Sequence, residues 1–112
     1  MIPALIGLFL GGLIVVAFWD EITNWLKELI PKIKAALSRI AHAAKVFGRR
    51  VKGSAVHIIH KLFYREQGKL FEEVTKREID ESELPDWAAD MIGTQETDIT
   101  HPMEEELQMT LS

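Results

Sequence analysis

His57 and His60 stand three residues apart in the stretch Val56-His57-Ile58-Ile59-His60-Lys61-Leu62-Phe63-Tyr64. On a helix that spacing puts both imidazoles on one face and could begin a metal site. The stretch is β-branched and aromatic, however, which is strand composition, and an odd separation on a strand sends two side chains to opposite faces. No nearby carboxylate or third ligand completes a set, so no metal or cofactor is expected. The pair reads as two surface or partner-facing histidines; His42 belongs with a basic helix face and His101 with an acidic end. The chain has no cysteine, which removes disulfides, thiolate zinc, iron–sulfur clusters and a cysteine nucleophile. It also has no G-x-S-x-G, H-E-x-x-H, phosphate loop or dinucleotide fingerprint. The carboxylates fall in charge runs, with no apolar pocket evident to tune one for acid–base work. No enzyme activity and no small-molecule substrate are expected.

The elements that must position these side chains come from an uneven composition. A chain of 112 residues makes one compact unit at most. Its 47% apolar content is concentrated at the start, where Met1 to Trp19 carries no charged side chain. The net charge of −4 hides a partition: −2 over residues 1–21, +9 over 22–65 and −11 over 66–112. That pattern argues against both an ordinary soluble domain and a wholly disordered chain.

Residues 1–20 predict a transmembrane anchor. The uncharged run gives about 27 Å of helix, against a hydrocarbon core of about 30 Å. A cleaved leader would want basic residues before the run and small residues at its end, and neither is present. Lys27, Lys32, Lys34 and Arg39 follow the span and no cation precedes it. This places the N-terminus outside and the remainder in the cytoplasm of a single-pass membrane protein, or within a virion or vesicle membrane. Trp19 and Trp25 suit interface anchors. Gly7, Gly11 and the adjacent Gly12 would form a close helix–helix contact in lipid.

Residues 21–53 predict a long basic amphipathic helix. At 100° per residue, Ile22, Leu26, Leu29, Ile33, Leu37, Ile40, Phe47 and Val51 share a narrow arc. Lys27, Lys34, Lys45 and Lys52 lie nearly opposite it, with Arg49 nearby. Three environments fit this pattern, the plainest being an ordinary core helix folded back on residues 54–92. The stripe of Lys27, Lys34, Lys45, Arg49 and Lys52 could lie among anionic headgroups or against an acidic partner. Alternatively Leu26, Ile30, Ile33, Leu37, Ile40 and Phe47 form a packing seam, since Leu26, Ile33, Ile40 and Phe47 recur every seven residues. Nucleic-acid binding is disfavoured by the acidic C-terminal half and by the lack of base-stacking aromatics among the lysines.

Residues 54–92 predict a small hairpin-plus-helix unit. Glu66-Gln67-Gly68 supplies a turn, and residues 70–79 return as a strand, although Glu72/Lys76 and Glu73/Arg77 are also i,i+4 helix pairs. A short helix follows Pro85, with Trp87, Met91 and Ile92 on its apolar side. So small a unit needs a partner to stand. Residues 93–112 predict an acidic tail, or one or two helical turns after Pro102.

The expected fold class is therefore mainly α with a small α+β element. The expected function is a non-enzymatic, membrane-anchored structural or interaction protein. Its partners would be membrane lipid and either further copies of itself, as a homo-oligomer, or the subunits of a membrane complex, with no nucleic acid. The alternative is a membrane-active effector, a pore-forming, holin-like or defence protein. Pairing of the acidic end with a neighbour's basic stripe is a further expectation of the charge partition.

Overall fold

The computed structural model describes residues 13–111. Its centre is a β-meander. Strands β3 (Ala55–Glu66) and β4 (Lys69–Asp80) pair antiparallel over twelve positions. They turn through Gln67 and Gly68, both at positive φ (52° and 76°), the two-residue geometry whose twist matches that of the strands it joins. Strand β2 (His42–Arg50) pairs antiparallel with the other edge of β3 over nine positions. Two short strands finish the sheet. β1 (Ile14–Val15) runs parallel to the end of β4, with Ile14 opposite Arg77, and β5 (Thr97–Asp98) runs antiparallel to β2. The order is β1-β4-β3-β2-β5.

Among the described residues three helices accompany this sheet: α1 (Trp19–Ala36), α2 (Asp86–Met91) and α3 (Thr100–Leu107), with a 3-10 turn at Glu81–Glu83. At the start of α1 the Glu21 carboxylate accepts hydrogen bonds from the backbone N–H groups of Ala17 and Phe18. Pro31 sits in the fourth turn on the exposed side, where its missing N–H and its ring leave the buried stripe untouched. At the far end of the sheet Asp80 accepts from the Ser54 hydroxyl and from the backbone N–H of Ser82, which hold its carboxyl down to about 2.

Alternation on the strands divides the sheet into two faces. One carries Ala44, Val46 and Gly48 of β2, Val56, Ile58, His60, Leu62 and Tyr64 of β3, and Ile79 of β4. All three helices pack on it. Ile22, Leu26, Leu29, Ile30 and Ile33 of α1 join Ala88 of α2 and Met103 and Leu107 of α3 in a single core with these strand residues. Arg50 ties α2 down by donating to the carbonyls of Ala89 and Ile92 and pairing with Glu81. The architecture is two-layer α+β, helices on one side of a five-stranded sheet.

Three expectations are corrected by this structure. The long basic helix over 21–53 is overturned: α1 ends at Ala36, and His42–Arg50 is strand. The reason is that Ala44, Val46 and Gly48 alternate with Lys45, Phe47 and Arg49, and β3 supplies a nine-position partner for that alternation. The single-pass membrane assignment, with the N-terminus outside and the C-terminus cytoplasmic, is also overturned. Among the described residues no helix is long and apolar enough to cross a membrane. Leu13 to Val16 is extended, and the Val16 N–H bonds to the Glu78 carbonyl. Gly7, Gly11 and Gly12 lie outside the described residues. Finally, the mainly-α class gives way to α+β, because β1, β2 and β5 join the β3–β4 hairpin in one five-stranded sheet; the acidic end, expected as a tail or as helical turns after Pro102, forms β5 and α3 and sends Ile99, Met103 and Leu107 into the core.

Candidate functional site on the open face of the sheet

The second face of the sheet carries the remaining alternate residues: Lys45, Phe47 and Arg49 of β2, His57, Ile59, Lys61, Phe63 and Arg65 of β3, and Leu70, Glu72, Val74, Lys76 and Glu78 of β4. No described helix covers it. Its register sets Phe47 beside Ile59 and Ile59 beside Lys76, with Lys45 beside Lys61 and Lys61 beside Val74 in the next row. An apolar strip through Phe47, Ile59, Phe63, Val74 and Leu70 is thus interleaved with cations. Leu70 is 68% exposed and Val74 36%.

Lys45 and Lys61 stand directly opposite, which is unfavourable for like charges. The loop leading into β5 relieves it. Glu96 reaches over the sheet to bond the Lys61 ammonium at 2.7 Å, and Lys61 lies 4.9 Å from the centre of the Phe47 ring. The hydrogen bond from Lys61 holds the Glu96 carboxyl below its usual range. Arg49 is fixed by donating to the Thr94 carbonyl at 3.1 Å, and His57 meets Glu78 at 3.0 Å.

His57 and His60 are separated by the sheet itself. His60 lies on the helix-covered face, 0% exposed, with neither ring nitrogen hydrogen-bonded, and burial pushes its pKa down to about 4. His42 approaches the Ile40 carbonyl through Nδ1, and His101 lies exposed on α3 beside Glu104 and Glu105. Among the described residues no group of three or more His, Asp or Glu could hold a metal ion.

The residues singled out in the sequence are dispersed. Of the basic stripe, Lys27 and Lys34 are on α1, where Lys34 donates to the Thr110 carbonyl, while Lys45 and Arg49 are on the open sheet face and Lys52 lies in the exposed turn before β3. Of the seam, Leu26, Ile30, Ile33 and Leu37 are buried in the core, Ile40 packs at its edge, and Phe47 is on the opposite side of the sheet. Trp19 and Trp25 make intramolecular contacts: the Trp19 indole donates to Glu106, and the Arg77 guanidinium lies 4.5 Å from the Trp25 ring. The open face also presents Ile59, Phe63, Leu70 and Val74, together with Lys76, which the local sequence shows only as half of an i,i+4 charge pair. The signal for them is the alternation of residues 57–65 and 70–78.

The chain matches no family model, and no characterised protein or solved structure matches it either. The geometry alone carries the functional reading.

Proposed function

We propose that the protein is a non-catalytic interaction module that self-associates, the open sheet face of one copy receiving the acidic helical end of another. The observation that carries this reading is the strip of Leu70, Val74, Phe63 and Phe47, which no helix among the described residues covers, set among Lys45, Lys61, Arg65 and Lys76. An antiparallel sheet tolerates one solvated face when that face is polar, and here apolar and basic groups share the rows Phe47–Ile59–Lys76, Lys45–Lys61–Val74 and Arg65–Leu70. Complementary charge is present in the same chain. Residues 81–112 hold nine acidic side chains and no lysine or arginine, and Asp86, Asp90, Glu105 and Glu106 are exposed on α2 and α3. Such a contact joins two different surfaces, so it makes rings or open chains of protomers rather than a closed two-fold pair.

Sedimentation across protein concentration, at about 0.02 M and about 1 M salt, tests the reading because exposed charge pairs are screened over this range. Concentration-dependent association at low salt is expected, weakened at high salt and abolished by Leu70→Glu with Val74→Glu. A monomer throughout, or an assembly indifferent to both salt and the double variant, overturns it.

A further inference from the structure

A second feature lies on the helical layer, away from the open sheet face. The indole N–H groups of Trp19, at the start of α1, and Trp87, in α2, both donate to one oxygen of Glu106 in α3, at 3.2 and 3.3 Å. The two rings meet edge to face, with centroids 6.0 Å apart and planes at 81°. Beside them α2 and α3 leave a groove of about 490 Å³ lined by Trp87, Met91, Pro102, Glu105 and Glu106. Met91 is 40% exposed there.

We infer that this groove binds an alkylated ammonium group, with Trp87 as its aromatic wall and Glu105 and Glu106 as its counter-charge. Three features select that chemistry. An indole ring attracts a cation to its face, and tryptophan does so best among the aromatic side chains. Trp19 and Trp87 fix the Glu106 carboxylate by occupying one of its oxygens, so its negative charge stays in place without a bound cation. Third, the lining offers few acceptors. Met91, Pro102 and the Trp87 ring present carbon and sulfur, which suit N-methyl groups. A primary ammonium would find acceptors only in the Glu105 and Glu106 carboxylates and would give up hydration against a wall that is otherwise carbon and sulfur. The carboxylates also exclude anions, and the neutral apolar part of the groove disfavours a fully hydrated inorganic cation.

The groove shares Glu105 and Glu106 with the self-association surface proposed above, so every titration is also run on the Leu70→Glu, Val74→Glu double variant, which leaves the groove intact and removes the assembly. The full chain, labelled with ¹⁵N, is titrated with tetramethylammonium while the indole N–H resonances are followed. A saturable shift of the Trp87 indole signal is expected. The neutral isostere 3,3-dimethylbutanol is expected to bind roughly three- to thirtyfold more weakly than choline, the range a cation–π contact supplies. Glu105→Gln with Glu106→Gln should weaken choline by a similar factor, because glutamine keeps an acceptor oxygen for both indoles and removes only the charge. Choline and the amide of Nα-acetyl-Nε-trimethyl-lysine distinguish a free ligand from a side chain on a partner protein. Tighter binding of either one supports the site and assigns its source. Unmodified Nα-acetyl-lysine amide should bind more weakly than its trimethylated form. No Trp87 response up to about 0.1 M probe, far above the millimolar range of a weak specific contact, overturns the inference. So does equal binding of choline and its neutral isostere, which needs no variant to be measured.

Discussion

Ile58 and Ile59 are consecutive in β3 and equally removed from water, at 0% and 1% exposure, yet they belong to different environments. Ile58 faces the helices and is part of the core shared by all three. Ile59 points the other way, outside that core, between Phe47 of β2 and Lys76 of β4. On the covered face burial comes from a second layer of structure. On the open face no described helix contributes, and Lys61, lying over the Phe47 ring and held by Glu96 from the loop before β5, covers part of the sheet. A static exposure value does not distinguish these cases, but energetics does. A layer holds a shape around a missing side chain, whereas neighbouring stems can relax into the gap.

The largest expected effect tests that contrast directly. Ile58→Ala should cost about 3–4 kcal/mol, the loss of transfer energy plus an unrelaxed cavity. Ile59→Ala should cost about half as much, since Phe47 and the lysine stems can close over the space. Urea unfolding of both variants measures the difference. Equal losses would mean that the two faces are energetically alike and that something rigid covers the open one.

His60 offers a second, slightly smaller test, confined to the covered face. Burial with no hydrogen-bond partner holds its pKa at about 4, against about 6.5 in the unfolded chain. The unfolded state therefore binds the proton first. The stability in question is fully present above about pH 6.5 and is lost as the pH falls through about 4, amounting to about 3 kcal/mol in all. Glu73, on the same face of β4, is pushed up by burial and acts in the opposite sense. For that reason the difference between wild type and His60→Leu, measured by urea unfolding from pH 7 to pH 4, isolates the histidine. The variant should have the flatter profile. If the two profiles run parallel, His60 is hydrated or paired in solution.

The covered face also shows what local sequence conveys. Gly68 marks the β3–β4 turn because its positive φ suits glycine, while Gln67, equally left-handed, carries no such mark. Ile22, Leu26, Leu29, Ile30 and Ile33 form a one-sided stripe in the chain, and that stripe is what α1 buries. Beyond Leu37 the same kind of reasoning fails. Residues 42–50 satisfy a helical wheel and a two-residue alternation together, and the choice is made by pairing with β3, which local periodicity does not contain. Leu13 to Val16 likewise finds its partner more than sixty residues away, in β4. The acidic run Glu104-Glu105-Glu106 overlies a plainer signal. Ile99, Met103, Leu107 and Leu111 recur at every fourth position, and all four are buried. On the open face Leu70 and Val74 alternate with Glu72 and Lys76, but the i,i+4 charge pairs through the same residues compete with that pattern.

Gly48 gives the smallest of these effects and the sharpest geometry. It is the position on β2 between Phe47 and Arg49 where the covered face needs no side chain at all. A Cβ placed there would lie 2.5 Å from Cδ1 and 2.6 Å from Cγ1 of Ile92, the buried residue that ends α2. The obstacle is a side chain rather than backbone, so the core can yield, but Ile92 is only 3% exposed and has little room to move. Arg50 also holds the Ile92 carbonyl, which keeps the segment close. Gly48→Ala is therefore expected to cost about 1–3 kcal/mol by overpacking. Combining it with Ile92→Ala should give a double variant more stable than the sum of the two losses implies, because each change relieves the other. Strict additivity in that cycle would show that Ile92 is not what Gly48 accommodates, and that the close approach of α2 to the sheet has another cause.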